Sequence, residues 1–70
     1  MADFIAHFVG SGFRFESTKM RYLGYTKDAV IRKAKQDADE GMFSAFYLEY
    51  QSGKSVGNWI KKGSRWYKEW

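Results

Sequence analysis

The stretch TKDAVIRKAKQDADEG, Thr26 to Gly41, decides how this chain folds. Thr26 is a good N-cap, because its hydroxyl can accept a backbone N–H of the first helical turn. Asp28 follows where the positive end of the helix dipole favours an acid. Gly41 is a good stop, able to take the left-handed conformation after the last turn. Between them the spacing predicts one helix, Lys27 to Glu40. At about 100° per residue, Val30, Ile31, Ala34 and Ala38 share one narrow arc, while Asp28, Arg32, Gln36 and Asp39 lie opposite. A stripe this narrow faces a sheet. Its two alanines allow close approach, leaving volume for aromatic side chains from the strands beneath. Asp28 with Arg32 and Lys35 with Asp39 are i,i+4 pairs on a face whose simplest role is solvation.

Strands are predicted on both sides of the helix. Asp3 to Val9 (DFIAHFV) mixes aromatic and β-branched residues and meets the glycine turn Gly10-Ser11-Gly12, which reads as strand, turn, strand. The second strand starts at Phe13 and runs to Tyr22. Phe13 and Phe15 fall on one side of it and Met20 and Tyr22 on the other, so a bulge or restart near Ser17 and Thr18 is needed to bring them to one face. After the helix, Met42 to Gln51 (MFSAFYLEYQ) is the strongest strand signal, with Met42, Phe46, Leu48 and Tyr50 on one face and Phe43, Ala45, Tyr47 and Glu49 on the other. A turn at Ser52-Gly53-Lys54 leads to a strand over Ser55 to Lys61. Lys62-Gly63 turns again into Ser64 to Trp70. The order is ββαβββ, a single α+β domain over residues 1–70 with one helix on one face of a mainly antiparallel sheet.

Composition narrows the function. Seventy residues with 44% hydrophobic and 29% charged side chains make a folding chain and not a disordered tail. A core this small yields about 3 to 5 kcal/mol of net stability and leaves little room for a deep pocket. Zero cysteines remove disulfides, thiol nucleophiles and cysteine zinc sites together. That fits a reducing compartment, as do the lack of a signal-like start in Met1 to Gly10 and of a run near the roughly 20 apolar residues of a spanning helix. A cytoplasmic protein without membrane contact is expected.

Each motif that hints at chemistry has a plainer reading. His7, the one histidine, has no cysteine or second histidine with which to share a metal, so it reads as an ordinary strand histidine. Gly53-Lys54-Ser55 copies the tail of a phosphate-binding loop, but Leu48 stands where the motif requires glycine and a strand follows where it requires a helix. Asp37, Asp39 and Glu40 crowd the helix C-terminus, where the dipole disfavours acids. Solubility is their simplest role, and a basic partner surface would also meet them. No enzyme and no cofactor are expected from these patterns.

Fourteen aromatics and an uneven charge of +4 remain. Residues 1–26 carry +1, residues 27–41 sum to zero, and residues 42–70 carry +3 together with all three tryptophans. Aromatics interleaved with cations on strands can hold single-stranded nucleic acid, because bases stack on rings while Lys and Arg track phosphates. The candidate binding residues are Lys54, Trp59, Lys61, Lys62, Arg65, Trp66, Tyr67 and Lys68, with Phe43, Tyr47 and Trp70 beside them. The plainer alternative is that the rings fill a small core and the lysines protect strand edges. Trp, Tyr and Arg also dominate protein interfaces, so a protein partner fits the same residues. A homodimer would hide surplus rings.

A strand leading into Leu23-Gly24-Tyr25-Thr26-Lys27-Asp28-Ala29, a short Ala- and Lys-bearing helix from Val30 to Ala38, and aromatic strands ending in Gly63-Ser64-Arg65-Trp66 are similar to small phage and mobile-element proteins. These include host-takeover proteins and anti-CRISPR inhibitors in which one helix packs on an antiparallel sheet. The likeness is one of layout and spans roughly Met20 to Trp70. It implies an inhibitor or adaptor that meets the nucleic-acid-binding surface of a nucleoprotein complex, with Lys54, Lys61, Lys62 and Arg65 as its cations. The basic chain departs from DNA-mimicking inhibitors, which need an acidic surface. The residues thus point to a non-enzymatic module that contacts nucleic acid or a nucleoprotein complex through a basic, aromatic C-terminal sheet, or to a phage-type inhibitor acting by protein contact.

Overall fold

A computed structural model describes residues 1–10 and 17–70. The described elements are β1 (Ala2–Gly10), β2 (Ser17–Tyr25), α1 (Lys27–Glu40), β3 (Phe43–Tyr50), β4 (Ser55–Lys62) and β5 (Arg65–Lys68). They form one five-stranded sheet in the order β2-β1-β3-β4-β5, with every neighbouring pair antiparallel. Since β2 and β3 both run opposite to β1, they are parallel to each other, and such strands need a crossover connection. α1 is that connection, and it lies across the middle of the sheet. The α+β order ββαβββ is therefore the fold. The turn at Gly10-Ser11-Gly12 and the strand start at Phe13 and Phe15 fall outside the described residues.

Local chemistry sets the helix start. Thr26 is extended, with φ −78° and ψ 160°, and its hydroxyl accepts a 3.2 Å hydrogen bond from the Ala29 N–H. Val30, Ala34 and Ala38 are fully buried, and Ile31 packs at the margin of the core. Under this small-residue stripe the strands supply bulk: Phe4 and Phe8 from β1, Tyr22 from β2, Phe46 and Leu48 from β3, and Trp59 from β4. Phe46 stacks on Trp59 with ring centroids 5.2 Å apart and planes 10° from parallel, and Phe8 lies 5.9 Å from Phe46.

The helix end works differently from the expectation. Gly41 has φ −86°, and the left-handed residue is Met42, at φ 60°. Glycine is required at 41 for space, because a Cβ there would come within 2.5 Å of the Phe43 ring. The faces of β3 are corrected at the same point. The β1–β3 register shifts between Val9/Ala45 and Gly10/Phe43, so two steps on β3 match one on β1. This bulge turns Phe43 toward the core, where it stacks 5.3 Å from Phe8, and leaves Met42 82% exposed. A second bulge lengthens β2 beyond Tyr22: Phe4 pairs with Tyr22 and Ala2 with Tyr25, and Gly24, at φ 72°, donates its N–H to Asp3 Oδ1 at 3.0 Å. Tyr22 and Tyr25 then meet edge-to-face at 5.5 Å.

Gly41→Ala should cost about 1 to 3 kcal/mol through the clash with the Phe43 ring. In a Phe43→Leu background the same substitution should cost clearly less, because the obstructing ring is gone. Urea denaturation of the four proteins in this cycle measures the coupling. An equal cost in both backgrounds would show that the ring does not set the requirement.

Candidate functional site

Side chains of consecutive strand residues point to opposite faces. The pairs Trp59↔Lys68 and Lys61↔Trp66 therefore place these four residues on the helix side, continuous with buried Phe46 and Trp59. The pairs Ile60↔Tyr67 and Lys62↔Arg65 lie on the face that the helix leaves uncovered. Lys54 sits in the β3–β4 turn, its carbonyl accepting from the Tyr50 N–H at 2.8 Å. The eight candidate residues from the sequence are thus not one patch.

On the helix side they close the core. Trp59 is only 4% exposed, stacked on Phe46, with Lys68 Nζ 5.8 Å from its ring centre, which leaves no ring face for an incoming base. Trp66 packs edge-to-face on Phe46 at 5.3 Å and donates its indole N–H to Asp39 Oδ1 at 3.1 Å. Lys61 Nζ donates to the same oxygen at 2.5 Å and lies 5.7 Å from the Trp66 ring centre. Trp59, Lys61, Trp66 and Lys68 are therefore engaged in packing and clamping on the helix side.

These contacts also account for the acidic helix end. Asp37 accepts the Tyr22 hydroxyl at 2.5 Å and pairs with Lys33 at 3.4 Å, tying the helix to β2. Asp39 turns to Lys61 and not to Lys35, tying the helix to β4 and β5. Burial, followed by the Asp37 hydrogen bond and charge, pushes the Tyr22 phenol above its ordinary range. The Lys61 hydrogen bond, helped by that of Trp66, holds the Asp39 carboxyl below its ordinary range.

The uncovered face carries a different constellation. One register row runs across it from Lys19 on β2 through His7 on β1 and Tyr47 on β3 to Asn58 on β4. Asn58 pairs through its backbone N–H with the Trp70 carbonyl at 3.0 Å. Along this row the rings touch: His7 to Tyr47 at 5.6 Å and Tyr47 to Trp70 at 5.6 Å. Trp70 is 58% exposed and Tyr67, on the adjoining row, 46%. Arg21 stands beside Lys19 at the β2 edge, opposite Ile5, and Lys62 and Arg65 occupy the far corner.

Among the described residues three acids share this face, and each already has a hydrogen-bond partner. Asp3 receives the Gly24 N–H, Glu69 receives the Asn58 amide at 2.8 Å, and Glu49 Oε2 lies 2.5 Å from His7 Nε2. Glu49 and His7 are partly shielded, their side chains 20% and 31% exposed. Glu49, Lys19 and Arg21 were not singled out from the sequence, and His7 was read there as an ordinary strand histidine. The alternation of Ile5, His7 and Val9 against buried Phe4, Ala6 and Phe8 marks His7 as facing away from the core, but its carboxylate partner is 42 residues distant.

Among the described residues no group of three or more His, Cys, Asp or Glu side chains is placed to hold a metal ion, and no helix is long and apolar enough to cross a membrane. No protein-family model matches the chain, and no curated protein or solved structure is significantly similar to it.

Because Asp39 is held below its ordinary value in the fold, it contributes stability that is present above the unfolded value of about 3.9 and lost as pH falls through the lower folded value. Asp39→Asn should therefore lower the urea midpoint at neutral pH, and the gap to the parent should close in strong acid. Tryptophan emission should also shift to the red as Trp66 loosens. A gap that stays constant into acid would contradict the clamp.

Proposed function

We propose that this domain binds single-stranded nucleic acid, free or within a nucleoprotein complex, across the face of its sheet that the helix leaves uncovered. The observation that carries this reading is the row Lys19, His7, Tyr47 and Trp70: touching rings with cations at one end, and Lys62 and Arg65 at the opposite corner. A single strand laid along the row would stack bases on the rings and bring phosphates to the flanking Lys and Arg. A duplex hides its base faces and gains only the cation contacts. Satisfaction of Asp3, Glu49 and Glu69 by donors on the same face reduces the repulsion that phosphates would meet.

Titration of tryptophan fluorescence with short single-stranded DNA should give saturable quenching that weakens steeply with salt, as counterion release requires. Tyr47→Ala should weaken binding about tenfold, in line with about 1 to 3 kcal/mol per stacked base. Lys62→Glu with Arg65→Glu should weaken it further and flatten the salt slope. The control pair Lys61→Glu and Lys68→Glu, on the helix side, should change affinity less. Greater loss from the control pair would move the interface to the helix side. Absence of quenching at low salt would overturn the nucleic-acid reading, and recovery of one dominant protein by pull-down would then favour the phage-type inhibitor.

A further inference from the structure

His7 and Glu49 form a histidine–carboxylate pair at the centre of the uncovered face. The Glu49 carboxylate has only acceptor oxygens, so in the neutral imidazole the His7 nitrogen facing it, Nε2, carries the hydrogen and Nδ1 the lone pair. Among the described residues Nδ1 has no hydrogen-bond partner. A carboxylate that fixes the ring and its tautomer while the second nitrogen stays available is the arrangement by which a histidine becomes a positioned general base. Cations lie on the neighbouring edge strand: Lys19 is the direct cross-strand neighbour of His7, and Arg21 is two residues along the same strand. Tyr47 lies against the imidazole and offers a stacking face beside it.

The chain has no cysteine, and the pair, with side chains 31% and 20% exposed, lies on the sheet face that the helix leaves uncovered. A reaction suited to such a pair is one in which the substrate brings its own nucleophile. RNA does so through the ribose 2′-hydroxyl, and DNA does not. Resting on the nucleic-acid reading above, we propose that the His7–Glu49 pair makes this face an RNA-cleaving site acting by intramolecular transesterification. His7 Nδ1 takes the proton of the 2′-hydroxyl, and the 2′-oxygen forms a bond to the adjacent phosphorus. The bond from phosphorus to the 5′-oxygen breaks, and that oxygen leaves with a proton from water. His7 returns its proton to solvent, and the products are a 2′,3′-cyclic phosphate and a 5′-hydroxyl. Lys19 and Arg21 stabilise the extra negative charge on the phosphoryl oxygens at the transition state. His7 is then a catalytic residue and Glu49 a positioning residue.

The test uses RNA and DNA strands of matching sequence with the full chain and with His7→Gln and Glu49→Gln prepared in parallel, each checked by thermal denaturation. The parent should bind both strands and cleave only RNA, leaving cyclic phosphate ends. His7→Gln should lose at least about a hundredfold in rate, the lower range for a positioned base. Glu49→Gln, which keeps a hydrogen-bonding group without the charge, should lower the rate more than about tenfold without weakening DNA binding. RNA that is bound but stays intact would overturn the cleavage proposal and leave the binding reading standing. Cleavage equal in the parent and His7→Gln would assign the activity to a contaminant and overturn it as well. Failure to bind either strand would overturn both.

Discussion

One helix of fourteen residues has to cover a sheet of five strands, and it cannot. Four inter-strand spacings make the sheet about 19 Å wide, against about 10 Å for a helix with its side chains. The crossover from β2 to β3 places α1 over the centre, so β4 and β5 extend beyond it on one face and, among the described residues, no helix covers the opposite face. Most other features of the molecule answer this shortage of cover.

On the helix side the answer is aromatic. Val30, Ala34 and Ala38 keep the helix close to the strands, and Phe8, Phe43, Phe46 and Trp59 fill the space beneath. Trp66 and the stem of Lys61 roof the part that the helix does not reach, and Asp39 fastens both to the last helical turn. Acids at a helix C-terminus oppose the dipole. Here Asp37 and Asp39 are placed to take a hydroxyl from β2, an ammonium from β4 and an indole N–H from β5, so the helix end is pinned toward both sides of the sheet. Gly57 serves the same closure at the strand end: a Cβ there would come within 2.6 Å of the Trp70 carbonyl oxygen.

What could be read from the sequence was what is decided locally. The Thr26 cap, the Val30, Ala34 and Ala38 stripe and the element order ββαβββ depend on neighbours a few residues away. Gly41 stops the helix as read, but its left-handed conformation was misread because the reason for glycine there, the Phe43 ring, appears only once β3 has turned back over the helix end. Phe46, Leu48 and Tyr50 share the core face as read, but Met42 and Phe43 were misplaced because a single-residue bulge reverses side-chain parity and leaves no mark in hydrophobic alternation. The candidate binding residues divide between two faces for a related reason. Lys61 and Lys62 are adjacent in sequence but point to opposite faces, so a basic, aromatic run reads as one surface and folds as two. His7 and Glu49 show the converse, because only the pairing of β1 with β3 brings them together.

The central claim is that the bare face, with its cross-strand row of rings and edge cations, is the working surface of the domain. Mapping backbone amide chemical shifts by NMR during titration with a short single strand tests it most directly. The account predicts that the largest changes fall on Lys19, His7, Tyr47, Asn58 and Tyr67, with α1, Lys61 and Trp66 nearly silent. Changes concentrated along α1 and at Lys61 and Trp66 would contradict it.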